Sequence, residues 1–307
     1  MADINQTLAP VAAPTPVNGS RSLFATTLRH PAAWLFAGLY VLSVIYLIVS
    51  GHANFLVLAL SQLSFTVISL LIVLPLTRHA PAPAWEEARP TPTWKLWLQL
   101  VLALVSVVVA LIGFFALTPL VLKLGVPLRV YQVTFALLAE VVIPLVVVVL
   151  LGANLREVGF GRGYHSWRVA GALALVFLLV SGILFLGGWA APGTLLGNAV
   201  LSFFTAGLPE ETLVRGIFMT RICRLFGTPW GICLSALIFG LLHLGNFLGG
   251  VNLPTALAIS IIGNAVGGLG AAIIFLRTRN LLAGVVTHSI AYSVSLPIQV
   301  LLKPFLG

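Results

Sequence analysis

Charge is what this sequence has least of: 7% of its 307 residues are Asp, Glu, Lys or Arg, against 60% that are hydrophobic. A soluble domain carries about 25% charged residues, so a surface facing water throughout is excluded. Also lacking is the short alternation of a transmembrane barrel, because the apolar residues come in runs of about twenty. Cysteine is scarce: Cys223 and Cys233 have no metal-type spacing, which excludes a disulfide framework and a cysteine zinc site. Both fall near the proposed cytoplasmic face and read as small packing residues in a reducing setting. The opening stretch MADINQTLAPVAAPTPVNGSRS lacks a basic segment leading directly into an apolar core. It reads as a disordered tail and not as a cleaved signal. No internal repeat argues for inverted halves.

What is present is a series of long apolar runs. Nine spans are read at about 31–50, 54–77, 95–120, 131–151, 168–188, 194–222, 229–246, 253–276 and 280–302. Each approaches or exceeds the roughly 20 residues that cross a bilayer core. The expected fold is all-α, a polytopic membrane bundle of eight or nine transmembrane helices. Its expected parts are a cytoplasmic tail (1–30), N-terminal helices (31–165) and a C-terminal core (166–303). The net charge of +9 is explained by orientation. With a cytoplasmic N-terminus, Arg21, Arg29, Arg78, Arg89, Lys95, Arg156, Arg162, Arg168, Arg221, Arg224, Arg277 and Arg279 share one side. Only Lys123, Arg129 and Lys303 fall on the other. That is the positive-inside bias, and it argues against nucleic acid as a partner. It places the protein in a bilayer, expected to be a bacterial cytoplasmic membrane. The linker 77–94 is rich in proline and is expected to be extended and exposed; its Glu86 and Glu87 need no function in water.

Inside the spans the picture differs. Glu140, Glu210, Glu211, Arg215, His243 and His288 lie in apolar runs, where each charge costs about 2.5–3.5 kcal/mol on insertion scales. Residues four apart on a helix share a face, so Glu211 and Arg215 are expected to pair as a structural clamp. Glu210 is rotated by about 100° and left free for chemistry. Glu210 lies 14 residues before Arg224, His243 14 residues after Pro229, and His288 nine after Arg279. At about 1.5 Å per residue, all three reach depths of roughly 13–21 Å. Plainer readings exist for each. A lone intramembrane histidine often links helices, and Glu140 serves equally as a packing residue.

The segments EETLVRG (210–216), FGLLH (239–243) and FLRTRNLLAGVVTHSIAY (275–292) together resemble the signature regions of the CAAX-protease and bacteriocin-processing family of intramembrane endopeptidases. The resemblance covers about residues 165–300. It implies Glu210 as catalytic glutamate, Glu211 and Arg215 as its supporting pair, and His243 and His288 as the two histidines. It also implies a membrane-associated or lipidated CAAX-like peptide as substrate. Tyr292 departs from the pattern, standing where the family usually has Asn. Its hydroxyl acts from a different point or its ring fills substrate space, and Asn264 is an alternative amide donor.

Peptide hydrolysis needs an activated water and donors to the oxyanion. On this reading Glu210 is the general base, His243 positions the water, and His288 faces the oxyanion, helped by Tyr292 or Asn264. A zinc ion held by Glu210, His243 and His288 is the alternative. The lean is towards a metal-free site, because no helix carries a two-histidine zinc motif and Glu211 is committed to Arg215. Two other classes remain: an inactive relative acting as a binding or immunity protein, favoured by Tyr292, and a proton-coupled transporter, disfavoured by the missing repeat.

Overall fold

The computed structural model describes residues 27, 29–81, 83, 85 and 90–293, and among these every long element is a helix. In lipid a backbone must bond to itself, so long apolar runs become helices. We number nine of them. They are α1 (Pro31–Val49), α2 (Ala53–Leu76), α3 (Thr93–Lys123), α4 (Leu128–Leu150) and α5 (Ser166–Leu186), then α6 (192–226), α7 (Thr228–Leu248), α8 (Leu253–Thr278) and α9 (282–293).

Seven of the nine are long and apolar enough to cross a membrane. The exceptions are α6 and α9. Glu210, Glu211 and Arg215 sit in the middle of α6, whose residues 211–219 are all buried. The description of α9 ends at residue 293. The N-terminal tail with Arg21, the loop residues Glu86, Glu87 and Arg89, and the end of the last expected span with Lys303 lie outside the described residues.

The bundle is apolar on its outside. Leu71, Phe115, Leu150 and Leu186 are among many large apolar side chains left mostly exposed, as lipid contact requires. The core centres on α8, the most buried span, while α3 is mostly turned outward. Helix α8 packs on α2 and α7. Part of the proline-rich linker is also covered. Trp85 is 6% exposed and stacks on Phe275 of α8 with ring centroids 6.1 Å apart. The expectation of a wholly exposed linker is therefore corrected: a tryptophan ring carries enough apolar area to fasten a loop.

The loop 151–165 is tied down by charge and backbone. Glu157 takes Arg224 at 2.7 Å and lies 3.7 Å from Arg221, whose Nε donates to Gln99 of α3. Asn280 donates to the Gly161 carbonyl at 2.6 Å, and the Leu281 amide donates to Gly159. Through these bonds the loop is joined both to the α8–α9 turn and to the end of α6.

Candidate active site

Helices α4 and α6, which carry the intramembrane carboxylates, depart from α geometry beside them. Helix α4 widens to a π turn at Leu137–Val142, which contains Glu140. Helix α6 does so at Phe203–Gly207 and again at Glu211–Met219. Proline accounts for the first two. Proline has no N–H for the carbonyl four residues back and its ring crowds that carbonyl. Pro144 stands four after Glu140, and Pro209 four after Thr205. A π turn relieves the clash by re-routing the local bonding. The regular α helix assumed for EETLVRG is thus corrected to a π segment, in which positions four apart still meet.

Glu211 and Arg215 form the expected pair, with Oε2 and Nε 3.4 Å apart and side chains 1% and 0% exposed. The guanidinium also donates from Nη2 to the Gly268 carbonyl of α8 at 3.1 Å. Its carbon lies 4.3 Å from the centre of the Phe239 ring. Phe239 in turn packs against both His243 and His288. Reading the sequence missed this hub. The signal was Phe239 standing one helical turn before His243.

The other oxygen of Glu211 is also taken. His288 Nδ1 lies 3.3 Å from Glu211 Oε1, so Glu211 serves both Arg215 and His288 and is not committed to the arginine alone. A glycine makes room for it. A Cβ on Gly284, one turn before His288 on α9, would sit 2.8 Å from Glu211 Oε2.

Glu210 faces the two imidazoles. Its Oε2 lies 3.6 Å from His243 Nε2 and 3.8 Å from His288 Nε2. That oxygen is buried and has no hydrogen-bond partner among the described residues. The tautomers follow from the opposite edges of the rings. His243 Nδ1 lies 2.9 Å from the Phe239 carbonyl, and a carbonyl only accepts, so Nδ1 carries the proton. The same reasoning puts a proton on His288 Nδ1, which faces a carboxylate oxygen. Both Nε2 atoms therefore point at Glu210. Three helices, α6, α7 and α9, bring Glu210, Glu211, Arg215, His243 and His288 into one cluster.

Asn264 and Tyr292 stand differently. Asn264 is half-buried on α8, one turn from Gly268. Tyr292 is 59% exposed, so its ring is not buried among the carboxylates and imidazoles. Among the described residues, no group of three His, Cys, Asp or Glu side chains is arranged to hold a metal ion. Glu210 Oε2 stands 3.6 Å from His243 Nε2 and 3.8 Å from His288 Nε2, and no step is routed through a metal.

The fold and the cluster define the class: a polytopic helical membrane protein with a buried carboxylate–imidazole site. Residues 192–294 match the family model described as Type II CAAX prenyl endopeptidase Rce1-like, and this segment, α6 to α9, is a domain of that family. No curated protein matches the chain, and no solved structure does.

Proposed function

We propose that the protein is an intramembrane endopeptidase that hydrolyses a peptide bond of a membrane-associated or lipidated peptide. The observation that carries this reading is the convergence of His243 and His288 Nε2 on Glu210 Oε2. Two atoms 3.6 Å apart can share one water at ordinary hydrogen-bond lengths of about 2.8 Å. Such a water donates one proton towards Glu210 and the other to the lone pair of His243 Nε2.

Glu210 takes a proton from this water as its oxygen bonds to the scissile carbonyl carbon. The carbonyl oxygen becomes an oxyanion. His288, held between two carboxylates, donates to it when protonated on both nitrogens, and Asn264 is the second donor in this reading. The carboxylic acid of Glu210 then returns its proton to the peptide nitrogen, the C–N bond breaks, and an acid and an amine leave. Arg215 and Glu211 fix the orientation of His288. The exposure of Tyr292 weighs against the inactive-relative reading, because its ring leaves the site open. We place the N-terminus on the cytoplasmic side, from the distribution of arginines.

The test is incubation of the purified protein, in lipid vesicles, with a membrane-peptide library, with products read by mass spectrometry. Cleavage that survives a strong chelator and vanishes in Glu210→Gln is expected. Absence of cleavage by wild type refutes the protease reading, and loss of activity together with stoichiometric zinc refutes the metal-free mechanism.

A further inference from the structure

Between α4 and α5 the chain reads NLREVGFGRGYHSWR (154–168), in which large apolar side chains alternate with arginines. Leu155, Phe160 and Trp167 are 47%, 44% and 76% exposed. Arg156, Arg162 and Arg168, each one or two residues further on, are exposed as well. Facing only water, three exposed large apolar side chains gain nothing; facing only hydrocarbon, three charges are costly. Both are accommodated in the headgroup layer, where apolar side chains reach the acyl chains and guanidiniums reach phosphate. Two tryptophans set the depth. Spans α3 and α4 are each long enough to cross, so the starts of α3 and α5 share one side of the membrane. Each start carries an exposed tryptophan, Trp94 at 62% and Trp167 at 76%, and tryptophan gathers at the headgroup level.

The segment is held in shape. The stem of Arg156 lies against Gly161, where a Cβ would meet its Cγ at 2.7 Å, which brings Arg156 beside Arg162. Arg168 Nη1 donates to His165 Nδ1 at 3.4 Å, and the His165 and Tyr164 rings meet with centroids 4.3 Å apart. The Tyr164 amide donates to the Thr278 carbonyl, and Asn280 holds the Gly161 carbonyl. Charge on this segment is one-sided. Glu157 is its only acid, and that carboxylate is buried and engaged by Arg224 and Arg221. No carboxylate among the described residues pairs with Arg156, Arg162 or Arg168. In the headgroup layer the anion at hand for a guanidinium is phosphate.

We propose that residues 154–168 form a binding surface for anionic phospholipid. Arg156, Arg162 and Arg168 engage the phosphate and the headgroup charge, while Leu155, Phe160 and Trp167 pack on the first carbons of the acyl chains. The ties to the α8–α9 turn pre-organise the surface, so binding costs little ordering. Zwitterionic lipid carries the same phosphate, but its ammonium group cancels the net charge, and anionic lipid is therefore preferred. The surface shares no residue with the carboxylate–imidazole cluster and does not depend on peptide cleavage.

Trp167 reports on this surface directly. The purified full chain is reconstituted in phosphatidylcholine vesicles, with a lipid brominated near the headgroup end of its chains as fluorescence quencher. The quencher is phosphatidylglycerol in one series and phosphatidylcholine in the other. Subtracting Trp167→Phe in each background isolates Trp167 from the other tryptophans. One basic side chain near an anionic surface is worth about fivefold in association, so wild type should favour the anionic quencher by about fivefold or more. Arg162→Gln combined with Arg168→Gln should cut that preference several-fold. Lys123→Gln combined with Arg129→Gln, at the opposite end of the spans, should leave it unchanged. Raising the salt from about 0.1 to about 1 M shortens the screening length from about 10 to about 3 Å, and should shrink the wild-type preference. Equal quenching by the two lipids in wild type overturns the proposal, as does a preference that survives the Arg162 and Arg168 changes or falls equally with those at Lys123 and Arg129. Should the arginine variant fail to fold, a wild-type preference indifferent to salt overturns it. A soluble acidic peptide that binds these arginines while the two quenchers act equally would also overturn it, and would assign the surface to a protein partner.

Discussion

Glu210 and Glu211 are neighbours in sequence with different surroundings. The side chain of Glu210 is 19% exposed and faces two imidazoles, while that of Glu211 is 1% exposed and holds both Arg215 and His288. Their amide variants should therefore fail in different ways. Glu210→Gln removes the base and keeps the volume, so turnover should disappear with thermal stability near wild type. Glu211→Gln strands a buried guanidinium, and breaking such a pair costs about 3–5 kcal/mol. A lowered melting temperature in a detergent or vesicle melt is the expected sign. Equal melting curves for the two variants would refute this division. The same scale separates the two candidates for the second oxyanion donor. Asn264 stands one turn from Gly268, whose carbonyl holds Arg215, whereas Tyr292 is mostly exposed. Losing an oxyanion donor costs about 10²–10³ in kcat. Asn264→Ala should show a loss of that size with KM little changed, and Tyr292→Phe should leave kcat close to wild type. The opposite pattern in steady-state kinetics would return the role to the tyrosine.

Between elements, the site depends on how closely α9 lies on α6. Gly207 and Gly284 make that approach possible. A Cβ on Gly207 would collide with Ser289 Oγ, and one on Gly284 would meet Glu211 Oε2 at 2.8 Å. The glutamate cannot swing away, because Arg215 and His288 hold its two oxygens. Gly284→Ala must instead push the helices apart, and overpacking of this kind costs about 1–3 kcal/mol. It should lower both melting temperature and kcat, since the shift moves His288 relative to Glu210. Gly171→Ala on α5 is the control, with nothing within 4 Å of the added carbon; its melting curve and activity should match wild type. A similar loss in both variants would point to a general intolerance of alanine and not to the α6–α9 contact. These contacts mark the limit of reading the chain as a line. Apolar runs announce helices, and polar residues inside them announce a site, so α1 to α9 and the Glu–Arg–His set were legible. The π turns were not, because a proline in an apolar run does not say how the backbone will relieve its clash. Nor could Phe239, Gly268 and Gly284 be seen as one shell, since they come from three helices and carry no charge.

At the scale of the whole molecule, the same scarcity of charge ties the site to an orientation. Twelve of the sixteen Lys and Arg residues fall on the side proposed as cytoplasmic, and Arg215 is spent inside. Glu157 gathers two of those arginines, Arg221 and Arg224, at the end of α6. The network anchors that helix from the basic side, which the proposed orientation makes the cytoplasmic end of the bundle. A flipped chain would carry these arginines to the far side and reverse the bias that governs insertion. Orientation is open to direct measurement because the native thiols, Cys223 and Cys233, are both buried. Lys123 at the end of α3 and Arg162 in the 151–165 loop are both exposed, and neither is joined to the site. Single cysteines placed at these positions should therefore react without disturbing it. With a cytoplasmic N-terminus, a membrane-impermeant maleimide applied to intact cells should label Lys123→Cys and spare Arg162→Cys. After permeabilisation, both should label. Labelling of Arg162→Cys alone in intact cells would invert the molecule. It would also move the loop that anchors α6, and with it the route by which a peptide reaches Glu210, to the opposite face of the membrane.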